Sequence, residues 1–188
     1  MSPRQTDKAR LFEAYLVAAA RTGDAAARVR LVEAWQPRLI GHAWRLTGDR
    51  EMAREAVQDG WVEILKGLMA LRDELAFPAW ALRIVTRRCR RLGGRRGRDR
   101  ARETGLDDQM AASDRETGPD VLVRQHMRRA IDALPPDQRA ALALVYLHEL
   151  SVAEAALALD APEGTIKTRL MHARRKLRDH LILQGVTP

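Results

Sequence analysis

The sequence predicts an all-α protein of two small helical domains joined by a flexible linker. Three observations carry that prediction. Apolar residues recur at helical spacing along most of the chain, and no stretch sustains strand alternation. After Leu92 the chain reads GGRRGRDRARETGLDDQMAASDRETGPD, too poor in large apolar side chains to bury its own backbone. The large rings are also unevenly divided: Phe12, Tyr15, Trp35, Trp44, Trp61, Phe77 and Trp80 precede that stretch and only Tyr146 follows it. The expected division is a larger helical domain over 1–91, a linker over 92–120 and a second helical domain over 121–188.

In the first domain, Leu11 to Arg21 and Ala25 to Gly41 are rich in Ala, Leu and Val and read as helices. Ala53, Ala56, Val57, Gly60, Trp61, Ile64, Leu65 and Leu68 follow the i, i+3, i+4, i+7 spacing of one buried stripe, with Asp49 as N-cap. The opposite face shows Arg54, Glu55, Gln58, Asp59 and Glu63. A loop over 67–76 leads to a helix from about Pro78 through Arg91. Trp80, Ala81, Ile84 and Val85 form its core stripe, while Arg83, Arg87, Arg90 and Arg91 project elsewhere.

The second domain opens on an amphipathic helix carrying Val123, Met127, Ala130, Ile131 and Leu134, stopped by Pro135. Pro136 suits the first turn of the next helix, which runs to about Glu149. Ser151 with Glu154 three residues on is a capping box, opening a short helix through Leu159. The chain turns at residues 160–164, and a last helix extends to about Leu181. A short helix, a tight turn and a longer helix form a helix-turn-helix.

At 100° per residue, Ile166, Leu170, Ala173 and Leu177 fall within about 60° of one another and make the last helix's buried stripe. Gly164, Thr165, Lys167, Thr168, Met171, His172 and Arg175 gather on the opposite face, flanked by Arg169, Arg174, Lys176 and Arg178. Short hydroxyl and cationic side chains on one helix face suit a major groove.

The formal net charge is +8, and it is local. Residues 83–102 hold ten Arg against one Asp, net +9, whereas residues 103–120 hold one Arg against six acids, net −5. Arg supplies the whole basic block, and its planar fork suits phosphates and guanine edges.

The sequence also speaks against catalysis. The glycines of residues 93–97 lack Walker spacing, the five histidines form no HxxxH or CxxC arrangement, and Ser2, Ser113 and Ser151 lack the glycines of a nucleophile elbow. No enzyme activity, cofactor or metal is expected. Cys89 adjoins several arginines but reads as a structural cysteine. As the single cysteine it leaves no internal disulfide, which fits a reducing cytoplasm. The longest apolar run, Ala140 to Leu147, is too short to span a bilayer, and the N-terminal residues lack the apolar core of a secretory signal.

These residues resemble a known pattern, that of the extracytoplasmic-function (ECF) sigma factors of the sigma-70 superfamily. The resemblance covers about 16–91 and 123–181. It is carried by AAARTGD at 18–24, Pro37-Arg38-Leu39, Leu46-Thr47-Gly48-Asp49, the run AREAVQDGW at 53–61 and FPAWALRI at 77–84. In the second domain it is carried by ALPPDQR at 133–139, LSVAEAA at 150–156, GTIKTRL at 164–170 and Ala173-Arg174. Each piece is weak alone; in this order and spacing they are specific.

The resemblance implies a sigma factor that binds core RNA polymerase and directs promoter-specific initiation. The first domain corresponds to sigma region 2 and the second to region 4. Glu55, Gln58, Asp59 and Glu63 would dock on the β′ clamp helices, with the β subunit a further contact. The loop over 67–76 would capture an unstacked base of the −10 element. Phe77, Trp80, Arg83, Arg87, Arg88 and Arg91 would read and melt that element. Thr165, Lys167, Thr168, Arg169, His172 and Arg175 would read the −35 element, and the linker would thread towards the RNA exit path. An anti-sigma factor is a regulatory partner the resemblance allows for.

Four positions depart from the family pattern. Arg87 stands where Asn is common, Ala81 where Leu is usual, Ala155 where Ile is usual, and Asp160 where the helix-turn-helix turn has Gly. The alternative from another class is a stand-alone helix-turn-helix regulator whose first domain binds a ligand or dimerises. It needs a pocket with convergent polar groups. A third reading, an RNA-binding adaptor, would rest on the Arg-rich linker.

Overall fold

A computed structural model describes residues 3–100 and 127–183. The four-helix first module comprises α1 (Pro3–Arg21), α2 (Ala25–Thr47), α3 (Arg50–Gly67) and α4 (Phe77–Arg100). The second comprises a helix over residues 127–132 (α5), α6 (Pro136–Tyr146), α7 (Val152–Ala158) and α8 (Glu163–Leu183). The linker expected over 92–120 lies outside the described residues from 101 onward. Its first part is the end of α4, which runs past Arg91 because Leu92 continues the buried stripe of Val85 and Cys89.

Local chemistry sets the helix boundaries. Asp24 accepts a hydrogen bond from the Ala27 amide at 3.0 Å and starts α2. Gly48, at φ +70°, closes α2 in the left-handed conformation that glycine adopts without steric cost. Asp49 then accepts from the Met52 amide at 2.9 Å and starts α3, as the sequence predicts. The Ser151–Glu154 capping box forms in both directions, at 3.2 Å and 2.7 Å, and starts α7.

Trp35 and Phe77, both buried, meet edge-on with centroids 5.3 Å apart and define the middle of the first module. Gly60 lets α3 approach α4: a Cβ there would sit 3.0 Å from Val85 Cγ2. Gly67 does the same for the partly buried Trp80, whose ring would lie 2.9 Å from an added Cβ. Leu65 departs from the sequence expectation. It is 41% exposed rather than part of the core, because it lies about 100° from the centre of the α3 stripe.

His42 is buried between α2 and α4, with Nε2 2.8 Å from Thr86 Oγ1. The Thr86 hydroxyl has a single proton and donates it to the Leu82 carbonyl at 2.9 Å, so Nε2 is the protonated nitrogen. Nδ1 has no hydrogen-bond partner among the described residues. Burial, with lesser contributions from His148 and Arg45, holds the imidazole to a pKa of about 3. His42 is therefore a structural residue.

The two modules pack directly. α4 lies against α7 and α2 against α6. One buried cluster runs from Leu31, Ile64 and Leu82 through Ala140, Leu144 and Ala155 to Leu159 and Ile166. The small side chains of Ala155, Ala156 and Ala158 bring α7 close to its neighbours. At the α2–α6 seam, burial first and then Arg45 and Arg38 hold His148 to a pKa of about 4.

Candidate nucleic-acid interface

Two cationic helices and one acidic face carry the predicted site residues. On α4, Phe77 is fully buried and supports the helix from beneath, so its ring is not presented to a ligand in this arrangement. The reason is its T-shaped contact with Trp35, which the sequence alone did not reveal. Trp80 sits over it at 6.1 Å, half-buried against Gly67. Arg87 and Arg91 are exposed.

Arg83, Arg88 and Arg90 each have a partner. Arg88 meets Glu63 of α3 at 2.5 Å and Asp59 at 3.8 Å. Thus a residue predicted to contact DNA is joined to two predicted to contact polymerase. Arg83 donates Nε and Nη2 to Asp160 Oδ1 at 2.9 and 2.6 Å. Arg90, on the basic face but outside the predicted set, donates to the Leu159 carbonyl at 2.8 Å.

Before α4, the predicted base-capturing loop consists of two short 3₁₀ turns, Leu68–Ala70 and Glu74–Ala76. Leu68 anchors the first turn in the core, whereas Met69 is 78% exposed. Asp73 accepts from the Leu75 amide at 2.9 Å, and an Arg21–Glu74 ion pair ties the loop to α1.

The outer face of α3 presents Glu55, Gln58 and Asp59, all exposed. Val62, 52% exposed, Leu65 and Met69 continue the same stripe. The sequence reading missed this apolar half of the face. The signal was available, since Gln58, Val62, Leu65 and Met69 recur at helical spacing about 120° from the core stripe.

On α8 the expected geometry is present. Ile166, Leu170 and Ala173 are buried, and Lys167, Thr168 and Arg175 are exposed. Thr165 and His172 are half-buried, with His172 Nδ1 3.4 Å from Arg175 Nη2. The Thr168 hydroxyl donates to the Gly164 carbonyl at 2.9 Å. Arg169 instead turns back to α6, where it pairs with Asp137 at 2.5 Å. At the turn before α8, where the family pattern has Gly, Asp160 adopts the left-handed φ of +49°.

The described residues hold no group of three or more His, Cys, Asp or Glu suited to a metal, and none of their helices is long and apolar enough to cross a membrane. Burial pushes the Cys89 thiol up to about 12, so the neighbouring arginines do not activate it. A crevice lined by Glu13, Val17, Leu75 and Phe77 has about 10 Å³ of room, enough for one water and far below a ligand pocket.

An Arg-rich helix closes one helical module, and a helix-turn-helix lies in the next. Residues 31–100 match the sigma-70 region 2 family and residues 124–177 match sigma-70 region 4. The chain is 31% identical over 166 residues to the ECF RNA polymerase sigma factor SigM of Mycobacterium tuberculosis, covering 88% of this chain and 82% of SigM. It is 30% identical over 167 residues to the ECF sigma factor SigE of Mycolicibacterium smegmatis, covering 85% of this chain but 65% of SigE. This chain belongs to the ECF RNA polymerase sigma factors.

Solved structures share the fold. One is the sigma factor RpoE in complex with the anti-sigma factor NepR from Bartonella quintana, with a TM-score of 0.67 at 23% identity over 81% of this chain and 94% of that one. Another is CnrH in complex with the cytosolic domain of CnrY, with a TM-score of 0.59 at 21% identity over 93% and 99%. Proteins of this class are initiation factors rather than catalysts.

Proposed function

We propose that this chain binds core RNA polymerase in the cytoplasm and directs it to promoters by reading two DNA elements. The observation that carries the reading is the pairing of two recognition helices in one chain. α4 ends the first module in a run of arginines, and α8 presents Thr165, Lys167, Thr168, His172 and Arg175 on one face.

α4 takes the −10 strand through Arg87 and Arg91, with Trp80 at the loop over 67–76 as the stacking surface. Unstacking a base costs a few kcal/mol, which stacking and cationic contacts must offset. Phe77 holds the helix in register rather than touching a base. Arg83 and Arg88 join the DNA face once their carboxylate partners are displaced. α8 takes the −35 major groove, and Arg169 orients α8 through Asp137.

Glu55, Gln58 and Asp59, with Val62 and Leu65, dock on polymerase as an apolar strip edged by acids. Glu63 sits at its border, shared with Arg88. The domains are taken as 1–91 and 121–188, with the connecting segment starting inside α4, which runs to Arg100. An anti-sigma factor is a further partner in this reading, supported by the fold shared with sigma factors solved in such complexes.

Run-off transcription with purified chain, bacterial core polymerase and a pooled promoter library tests the proposal. Transcripts sharing two upstream elements are expected. A folded protein that neither associates with core enzyme nor yields transcripts overturns the reading.

A further inference from the structure

Outside the residues assigned to DNA or polymerase, cations gather where α2 meets α6. Arg45 of α2 folds back over Gly41. A Cβ at that position would sit 3.0 Å from Arg45 Nη1, so the missing side chain makes a bed for the guanidinium. Arg45 has no hydrogen-bond or ion-pair partner among the described residues. Across the seam, the side chain of Arg139 on α6 is 13% exposed. Its Nη1 lies 4.0 Å from Asp132 of α5 and its Nη2 3.5 Å from the Leu134 carbonyl, both at the outer limit of such contacts. Its buried Nε has no partner among the described residues.

The charges around this pair do not balance. His42 and His148 share the seam, and burial keeps both imidazoles uncharged at about pH 7. Arg38, at the rim, stacks on Trp35 and is paired with Glu13 of α1, so it is already compensated. Asp49, four residues past Arg45, is turned to the Met52 amide. Arg45 and Arg139 therefore share the charge of Asp132, which is itself 47% exposed. Burial first, and then the charge of Arg139, lower the Arg45 pKa, and Asp132 offsets part of that. An arginine does not shed its proton in a protein, so two partly buried guanidinium groups are relieved by gaining an anion.

We propose that the α2–α6 seam is a binding site for a small phosphate-class oxyanion, with Arg45 and Arg139 as its cationic ligands and His148 as a neutral hydrogen-bonding neighbour. The planar forks of two guanidinium groups, one from each module, suit the several oxygens of a phosphate. Arg45, partly buried, is the ligand an anion reaches from solvent, and Arg139 forms the floor. The site goes beyond the reading of promoter elements and does not rest on it. Free phosphate and the terminal phosphate of a nucleotide offer the same chemistry to these ligands.

The test titrates the full-length free chain with inorganic phosphate by calorimetry, at an ionic strength held constant with chloride. One saturable site is expected below about 10 mM phosphate. Arg45→Gln should weaken it about ten- to hundredfold, as the loss of hydrogen bonds between charged groups does. Gly41→Ala, which crowds Arg45 Nη1 without removing a charge, should weaken it as well. Arg30→Gln removes an exposed arginine from the same helix and should leave binding unchanged. Thermal melts without phosphate show that each variant is folded. A parallel titration with ADP separates the two sources: tighter binding than phosphate assigns the terminal phosphate of a nucleotide, and weaker binding assigns the free anion. No saturable binding to the wild-type chain overturns the site. Binding that Arg45→Gln leaves unchanged, or that Arg30→Gln weakens equally, reduces it to diffuse attraction by the net charge and overturns it too. Transcription plays no part in these readouts, so the site stands or falls apart from the sigma reading.

Discussion

α4 and α8 are both long helices that bury one apolar stripe and carry cations on the rest, yet their cations stand in different states. On α8, Lys167 and Arg175 are exposed, and the printed partners of its cations lie within its own module: Asp137 for Arg169, the Leu170 carbonyl for Arg174 and His172 for Arg175. On α4, Arg83, Arg88 and Arg90 are each held by an acceptor from another element, and Arg87 and Arg91 are left exposed. α4 touches α2, α3 and α7, so its surroundings decide which cations are available. A basic face read from sequence is a stock of charge, and packing determines how much of it is presented.

The sharpest way to break the contrast is from beneath α4. Phe77→Ala removes a fully buried ring from the Trp35 contact and is expected to cost about 3–5 kcal/mol, read from urea unfolding. A loss below about 1 kcal/mol would mean that α4 does not depend on that seat.

Acid should loosen the α2–α4 seam next. His42 titrates near 3 in the folded chain and near 6.5 when unfolded. The unfolded chain therefore gains its proton first as pH falls. Stability is complete above about pH 6.5 and declines towards pH 3, by about 1.4 kcal/mol per pH unit for this residue. His42→Phe should remove about 2 kcal/mol of the difference in unfolding free energy between pH 7 and pH 5, leaving the share that His148 contributes. An equally steep decline in His42→Phe would place the effect elsewhere.

The outer face of α8 should respond in function instead. Arg175→Ala is expected to lose about 1–3 kcal/mol of promoter affinity by fluorescence anisotropy, with its thermal melt unchanged. Unchanged affinity would remove Arg175 from the DNA face. Lys167→Ala should instead flatten the salt dependence of binding by about one unit of slope, as expected of a phosphate contact.

The smallest effect belongs to Arg88→Ala, which dissolves the pair with Glu63 and Asp59. Partly exposed ion pairs contribute about 0–1 kcal/mol, so the change in melting should be slight. Its value is as a control: a large loss would show that the α3–α4 contact depends on this pair as well as on the apolar stripe.

The helix-turn-helix was the most legible part of the chain. Its capping box, its left-handed Asp160 and the stripe of Ile166, Leu170 and Ala173 are encoded within about 25 consecutive residues. The same local logic located α3, with its Asp49 cap, and α4. It misplaced Leu65, at the border of a stripe where helical angle alone leaves the side ambiguous, and it overlooked Val62, an apolar residue set among the charged positions of the opposite face. It could not show that Phe77 is sealed by Trp35, nor that Arg88 is spoken for by Glu63. The packing of the two modules was invisible, because its contacts join Arg10 to Glu154 and Arg83 to Asp160 across long stretches of chain. No periodicity within a window reports a partner that far away.

The α4–α7 contact also has a consequence for how the protein is made. α4 ends at Arg100 and α7 begins at Val152, so roughly 50 further residues must be synthesised before the second surface exists. At about 5–20 residues per second, α4 spends on the order of 3–10 s with its arginines and the flank destined for α7 uncovered. During that interval the nascent first module is a cationic, partly apolar body surrounded by ribosomal RNA. Completion of α7 and the turn after it would then be the moment at which Arg83 first acquires its carboxylate partner.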